Sequence, residues 1–450
     1  MLLSVLPLNA QEVGRQTQEA NSLEKPQSDS SLEPEIEEVG DTTGMNLQVT
    51  LVTCDPGADA YQMFGHTALR IRDINNPLYD FAYNYGVFDS RRDNFIYYFV
   101  KGETDYVLSV DKAAYFLGRY SEYYGIPMRE QVLNLTDAQK QELTRLLEIN
   151  AQKENRTYRY NFLYDNCTTR AAKIVEKAVE QTGDKVVYAK KDADYEQTTF
   201  RQILHRFTAP SPWLEFGIDF VLGSEVDSPR TQEEQMFIPF IYEAELDDAV
   251  IQHADGTQTK MVEEKTTIPP VGTLEQTANF PLSPLATFLI LLVFVCIMAW
   301  VDIRRGKLST WLDITGFFIR GLAGFLVAFL FFFSEHPAVG SNWLVAAFNP
   351  LVFIMIPDVV FSTWQKRFMA CVTIKGRQYD WFELVNLSVL VFTLALFVVP
   401  IQSLNIAMLP LVLTLLVRSV TRIVVLGKIC GKGKEVNSEI LEQREQNKLA

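Results

Sequence analysis

Leu47, Val49 and Leu51 alternate with polar neighbours, which predicts a strand. A turn-rich stretch, CDPGAD, follows it. In GHTALRIR, Thr67, Leu69 and Ile71 share one strand face, and His66, Ala68 and Arg70 share the other. A third strand, LYDFAYNYG, comes after the turn Asn75–Asn76–Pro77. The period then changes to helical. Thr136 and Gln139 form a capping box before a helix that runs through Leu147. Asn166 is suited to cap a helix over 167–181, which Gly183 stops. The apolar face of that helix is Ala171, Ile174, Val175 and Ala178. In TYRYNFLYDNC, Tyr158, Tyr160, Phe162 and Tyr164 recur at period two, which reads as a packed strand and could also line an apolar cleft leading to Cys167. Early strands with helices around them predict an α+β domain over 45–246.

The second half has a different pattern. Residues 284–301 carry no charge and are long enough to cross a bilayer. Four further apolar stretches lie near 314–333, 343–361, 381–400 and 406–426, which predicts about five transmembrane helices over 284–426. The loops between them alternate. Arg304, Arg305 and Lys307 follow the first span, and Lys366, Arg367, Lys375 and Arg377 lie between the third and fourth. Lys428, Lys432 and Lys434 follow the last, while 334–342 and 402–405 hold no Lys or Arg. The positive-inside rule then puts the tail, 427–450, in the cytosol and everything before Pro284 on the other side. Arg320, Asn349, Asp358, Glu383 and Asn386 are polar groups inside the spans. Pairing of Arg320 with Asp358 or Glu383 is the plain account, and Arg418 and Arg422 can snorkel to the cytosolic surface.

Charge agrees with this split. The net charge is −14, and 284–450 holds 15 basic and 10 acidic side chains, so the outer part is strongly acidic. An acidic outer domain argues against nucleic acid as a partner. Residues 1–10 read as a secretory signal without its positive n-region, so either the true start lies a few residues earlier or the signal is a poor one. The acidic, polar run 11–44 reads as a disordered tether. The polar stretch 247–283, with Pro269–Pro270, reads as a stalk before the first span.

Of five cysteines, Cys54 and Cys167 fall in the outer domain, with Cys296 in the first span, Cys371 in a cytosolic loop and Cys430 in the tail. A disulfide between Cys54 and Cys167 is the plain reading. Two cysteines and histidines at 66, 205, 253 and 336 make no metal cluster, and no cofactor is expected. The chemical reading takes Cys167 as nucleophile, because the first turn of a helix favours a thiolate and offers N–H groups to an oxyanion. Cys54 stands at the start of a loop and is given no step. His66 is the candidate base, and Asp80 or Asn84 on the neighbouring strand could orient it, with Asn84 preferred.

At FGHTALRI, NYGVFD and YNFLYDNCTTR, with further phrases PWLEFGIDFVLG, EQMFIP, SEHPAVGSNW and FNPL, the chain resembles the Lnb-type lipoprotein N-acyltransferases. The outer domain is similar to circularly permuted papain-like folds, in which the His precedes the Cys. Lecithin:retinol acyltransferase has that order too, with an Asn before its Cys. The resemblance implies transfer of an acyl chain from a phospholipid donor to the N-terminal amine of a diacylated lipoprotein, at the outer face of the cytoplasmic membrane. A cell-wall peptidase or amidase, or a non-enzymatic sensor domain, are the alternatives that the residues alone leave open.

Overall fold

A computed structural model describes residues 42, 44–88, 93–274, 280–362, 371–374 and 377–426. The signal-like segment 1–10, nearly all of the tether 11–44, the tail 427–450, and Lys366, Arg367 and Lys375 lie outside the described residues. The chain divides into two compact units. One comprises 1–208 and 228–279, the other 209–227 and 280–450.

The first unit is built on an antiparallel sheet. Its strands are β1 (Leu47–Cys54), β2 (His66–Asp73), β3 (Asn76–Val87), β4 (Asp105–Lys112), β5 (Met128–Leu133), β6 (Thr157–Arg159), and, after β7 (Lys185–Val187), β8 (Val250–Gln252) and β9 (Gln258–Lys260), the late strand β10 (Val262–Ile268). The sheet order is β10-β5-β1-β2-β3-β4-β6, and β7-β8-β9 form a second, three-stranded sheet. The polar stretch 247–283 is therefore not a plain stalk. Residues 263–267 are exposed along this edge strand, so its polar side chains need no apolar partner. The remainder after Ile268 carries no strand among the described residues.

Alternation in β1 to β3 sorts side chains onto two buried faces. Leu47, Val49, Leu51, Leu69, Ile71 and Tyr83 pack under the helices Asp137–Ala151 and Cys167–Gln181. Both helices start as the sequence predicts. Thr136 and Gln139 cap each other, and Asn166 Oδ1 accepts from the N–H groups of Thr168 and Thr169, each at 2.9 Å. The opposite face is also covered, because Val52, Cys54, Ala68 and Ala82 meet Phe116, Ile126 and Met128. His66 thus stands at the rim of a second small core rather than on an open face. The strand expected through Tyr164 stops at Arg159. Asn161 Oδ1 accepts from the N–H groups of Leu163 and Tyr164, and this turn takes the chain into the Cys167 helix.

In the second unit, Pro284–Arg305, Thr310–Phe333 and Met408–Leu426 are helices long and apolar enough to cross a membrane. Trp343–Pro357 and Trp381–Ala395 are apolar but shorter. The first of these is broken by the Asn349–Pro350 step, where Asn349 caps a new turn and proline removes a donor. The helix Pro212–Val221, placed by its sequence position in the outer domain, belongs to this unit. Its Phe216 and Phe220 pack with Phe288 and Phe348, and its last carbonyls are bound by Asn342 and Gln402.

The buried charges of this unit also differ from expectation. Arg320 donates to Ala347 O and Asn386 Oδ1, both at 2.7 Å, and the side chain of Asp358 lies outside the described residues. Arg418 and Arg422 do not snorkel. Arg418 pairs with Asp302 at 2.6 Å and Asp313 at 2.5 Å. Arg422 pairs with Asp313 at 3.1 Å and Glu383 at 2.5 Å. Carboxylates from three neighbouring helices give the two arginines closer partners than the surface does, so the network ties helix to helix.

Candidate active site

The site forms where β2 begins, β3 bends and the Cys167 helix starts. His66 is the first residue of β2 and lies across from Cys54 in β1. Asn84 is on β3, on the same face as His66 by strand parity. Its Oδ1 is 2.6 Å from His66 Nε2. An amide oxygen only accepts, so Nε2 carries a proton and donates. The other ring nitrogen, Nδ1, is left for Cys167. The imidazole is also stacked on Tyr120, with centroids 5.9 Å apart and planes 5° apart, and flanked by Phe116. These contacts fix the ring by packing as well as by its hydrogen bond.

Cys167 is the first residue of its helix, and Cys54 and Cys167 are both free thiols, which removes the disulfide reading. The two differ electrostatically. Burial pushes the Cys54 thiol well up, and the neighbouring Cys167 and Asp55 push the same way. Burial also opposes ionisation of Cys167. There, however, the His66 imidazole, the Thr67 backbone N–H and the Thr168 hydroxyl, 3.8 Å from Sγ, outweigh it and hold the thiol below its ordinary value. Burial likewise opposes a charge on His66, and Arg119 adds to that. Cys167 and the bond to Asn84 overcome both and raise the imidazole. The two shifts together favour a thiolate–imidazolium pair.

The helix start supplies fewer free donors than position alone suggests. Asn166 occupies the N–H groups of Thr168 and Thr169, and its own amide donates to Phe162 O and Phe237 O. Among the described residues, only the N–H of Cys167 itself is left without an acceptor in this turn.

Asp80, the other orienting candidate, is taken by Arg70 at 2.6 Å, and Arg70 also reaches Glu130 at 2.7 Å. It braces the sheet and does not meet His66. Sequence reasoning missed Gly86. The third strand is not regular at NYG but carries a β-bulge, where the β3–β4 register shifts between Asn84 and Val87 and Gly86 takes φ +94°. A Cβ there would lie 3.6 Å from Cys167 Cβ, 3.8 Å from His66 Cε1 and 4.0 Å from Tyr158 Oη. The missing side chain keeps a gap open directly over the pair. A glycine inside an otherwise regular strand pattern is the signal that marks such a place. Tyr120 carried no signal in the sequence, since its ring reaches His66 from a segment that no motif marks.

Two family models match. The model of the Lnb N-terminal periplasmic domain covers residues 41–206, and that of the Lnb transmembrane domain covers residues 275–428. No curated protein and no solved structure gives a match. The first match spans His66, Asn84 and Cys167, and the second spans the apolar helices from Pro284 to Leu426. The chain therefore belongs to the Lnb family, with its sheet-rich domain on the periplasmic side of a membrane that its second unit enters.

Proposed function

We propose that this protein is a lipoprotein N-acyltransferase that works through a Cys167 thioester. The observation that carries the reading is the His66 imidazole held between Asn84 Oδ1 and the Cys167 thiol, in a domain attached to membrane helices. The thiolate attacks the ester carbonyl of a phospholipid. The C–O bond then breaks, His66 gives its Nδ1 proton to the departing alkoxide, and a lysophospholipid leaves. In the second half the N-terminal amine of a diacylated lipoprotein attacks the thioester. The C–S bond breaks, His66 takes the amine proton, and the chain ends as an amide. Two easier displacements replace one difficult transfer. Cys167 is thus the nucleophile, His66 the base and then the acid, and Asn84 the group that fixes the imidazole.

The reading includes a permuted papain-like topology for the outer domain, with the His strand before the Cys helix. It also includes five membrane passes, with the two shorter apolar segments completing them, and a cytosolic C-terminus on the side of the basic loops. Lipid substrates explain why such a domain is held at a membrane.

Full-length protein mixed with phospholipid alone should gain one fatty-acyl mass on Cys167, and hydroxylamine should remove it. Cys167→Ala should gain none. A protein that takes no acyl group from lipid yet cleaves cell-wall peptides would instead be a papain-like peptidase.

A further inference from the structure

A tetrahedral intermediate on Cys167 needs hydrogen-bond donors aimed at its oxyanion before the reaction starts. The helix start provides one, the Cys167 N–H, because Asn166 has taken the next two. Beside it lies a buried hydroxyl without a partner. Tyr158 on β6 is 8% exposed, and its Oη makes no hydrogen bond among the described residues. A buried donor left unsatisfied is costly, so an unpaired buried hydroxyl calls for an explanation.

Its position supplies one. Tyr158 Oη is 4.0 Å from where a Gly86 Cβ would stand, and that point is 3.6 Å from Cys167 Cβ and 3.8 Å from His66 Cε1. The hydroxyl, the thiol-bearing carbon and the imidazole edge therefore border the same gap. Among the described residues Tyr79 and Tyr83 also have unpaired buried hydroxyls, but the groups that act on them are Glu148 and Asp73 for Tyr79 and Tyr79, Glu148 and Tyr85 for Tyr83, not Cys167. The Arg170 guanidinium lies 3.5 Å from the centroid of the Tyr158 ring and is itself fixed by two bonds to Asp165, at 2.8 and 2.7 Å. A cation on the ring face draws density from the phenol and strengthens it as a donor.

We propose that the Tyr158 hydroxyl is the second oxyanion donor, which together with the Cys167 N–H receives the carbonyl oxygen of the acyl group in both half-reactions. This rests on the acyl-transfer reading above. Burial raises the phenol, so it stays protonated at neutral pH and able to donate. Tyr158→Phe removes one oxygen and keeps the ring, its contact with Arg170 and its packing against Tyr85.

The test is single-turnover acylation of the full-length protein by phosphatidylethanolamine at saturating lipid, read beside alkylation of Cys167 by iodoacetamide. Alkylation needs the thiolate but builds no oxyanion. Tyr158→Phe is expected to slow acylation by about 10²–10³-fold, with the alkylation rate and the thermal midpoint unchanged. Acylation at the wild-type rate overturns the proposal. So does an equal fall in acylation and alkylation, which would make Tyr158 a residue that acts through the thiolate. Wild-type protein that never acylates would remove the acyl-transfer reading, and this proposal with it.

Discussion

His66→Ala is expected to slow acylation of Cys167 by about 10²–10⁴-fold, the usual worth of general acid–base help. Electrostatics adds a second readout. In the wild type the thiol is held low and the imidazole high, each by the other, so the ion pair fills a pH window. The acid edge is protonation of Cys167 and lies below the ordinary thiol value of about 8.5. The alkaline edge is loss of the His66 proton and lies above the ordinary imidazole value of about 6.5. Without the imidazole, burial is the largest influence left on Sγ, and burial raises it. The pH profile of iodoacetamide alkylation should therefore move to higher pH in His66→Ala, and alkylation at neutral pH should fall. Cys54, pushed well up by burial in the wild type, should stay unreactive at neutral pH in both proteins. An unmoved profile would mean that His66 does not hold the thiolate.

Arg422→Leu is expected to destabilise the helical unit by about 3–5 kcal/mol, the range for removing one partner of a buried ion pair. Arg422 reaches Glu383 and Asp313, both carboxylates fully buried in the protein, and among the described residues Glu383 would keep the Ser419 hydroxyl at 2.7 Å as its hydrogen-bond donor. The loss should be far smaller in Arg422→Leu combined with Glu383→Leu, because the double change leaves one fewer uncompensated carboxylate. Thermal unfolding of the detergent-solubilised protein measures both. An unchanged midpoint in the single variant would return Arg422 to the snorkelling role that its place near the end of an apolar stretch first suggests.

Much of the site was legible because its parts have local signatures. An Asn before a helix that starts on Cys, and a His that opens an alternating strand, can each be read within a few residues. Asn84 needed strand parity, and its 2.6 Å bond to Nε2 follows from β3 lying beside β2 in the sheet. What stayed hidden was the long-range part. The second covered face of the sheet depends on Phe116, Ile126 and Met128 returning over Val52 and Ala68. The late strand β10 is too polar to read as a strand, because an edge strand can be exposed along most of its length. The Pro212–Val221 helix looks like part of the outer domain in sequence order, and its aromatic residues find partners in Phe288 and Phe348 only in space. The partners of Arg418 and Arg422, near the end of the last apolar helix, are hidden for the same reason. Hydropathy gives their depth but not the carboxylates on neighbouring helices.

The most direct test of the account is a mass spectrum of lipoprotein N-terminal peptides from cells with the wild-type protein and from cells with Cys167→Ala. A third, amide-linked acyl chain on the N-terminal cysteine is expected in the first case and the diacylated form with a free amine in the second. Triacylated lipoproteins in cells that have only Cys167→Ala, and no other acyltransferase, would contradict it.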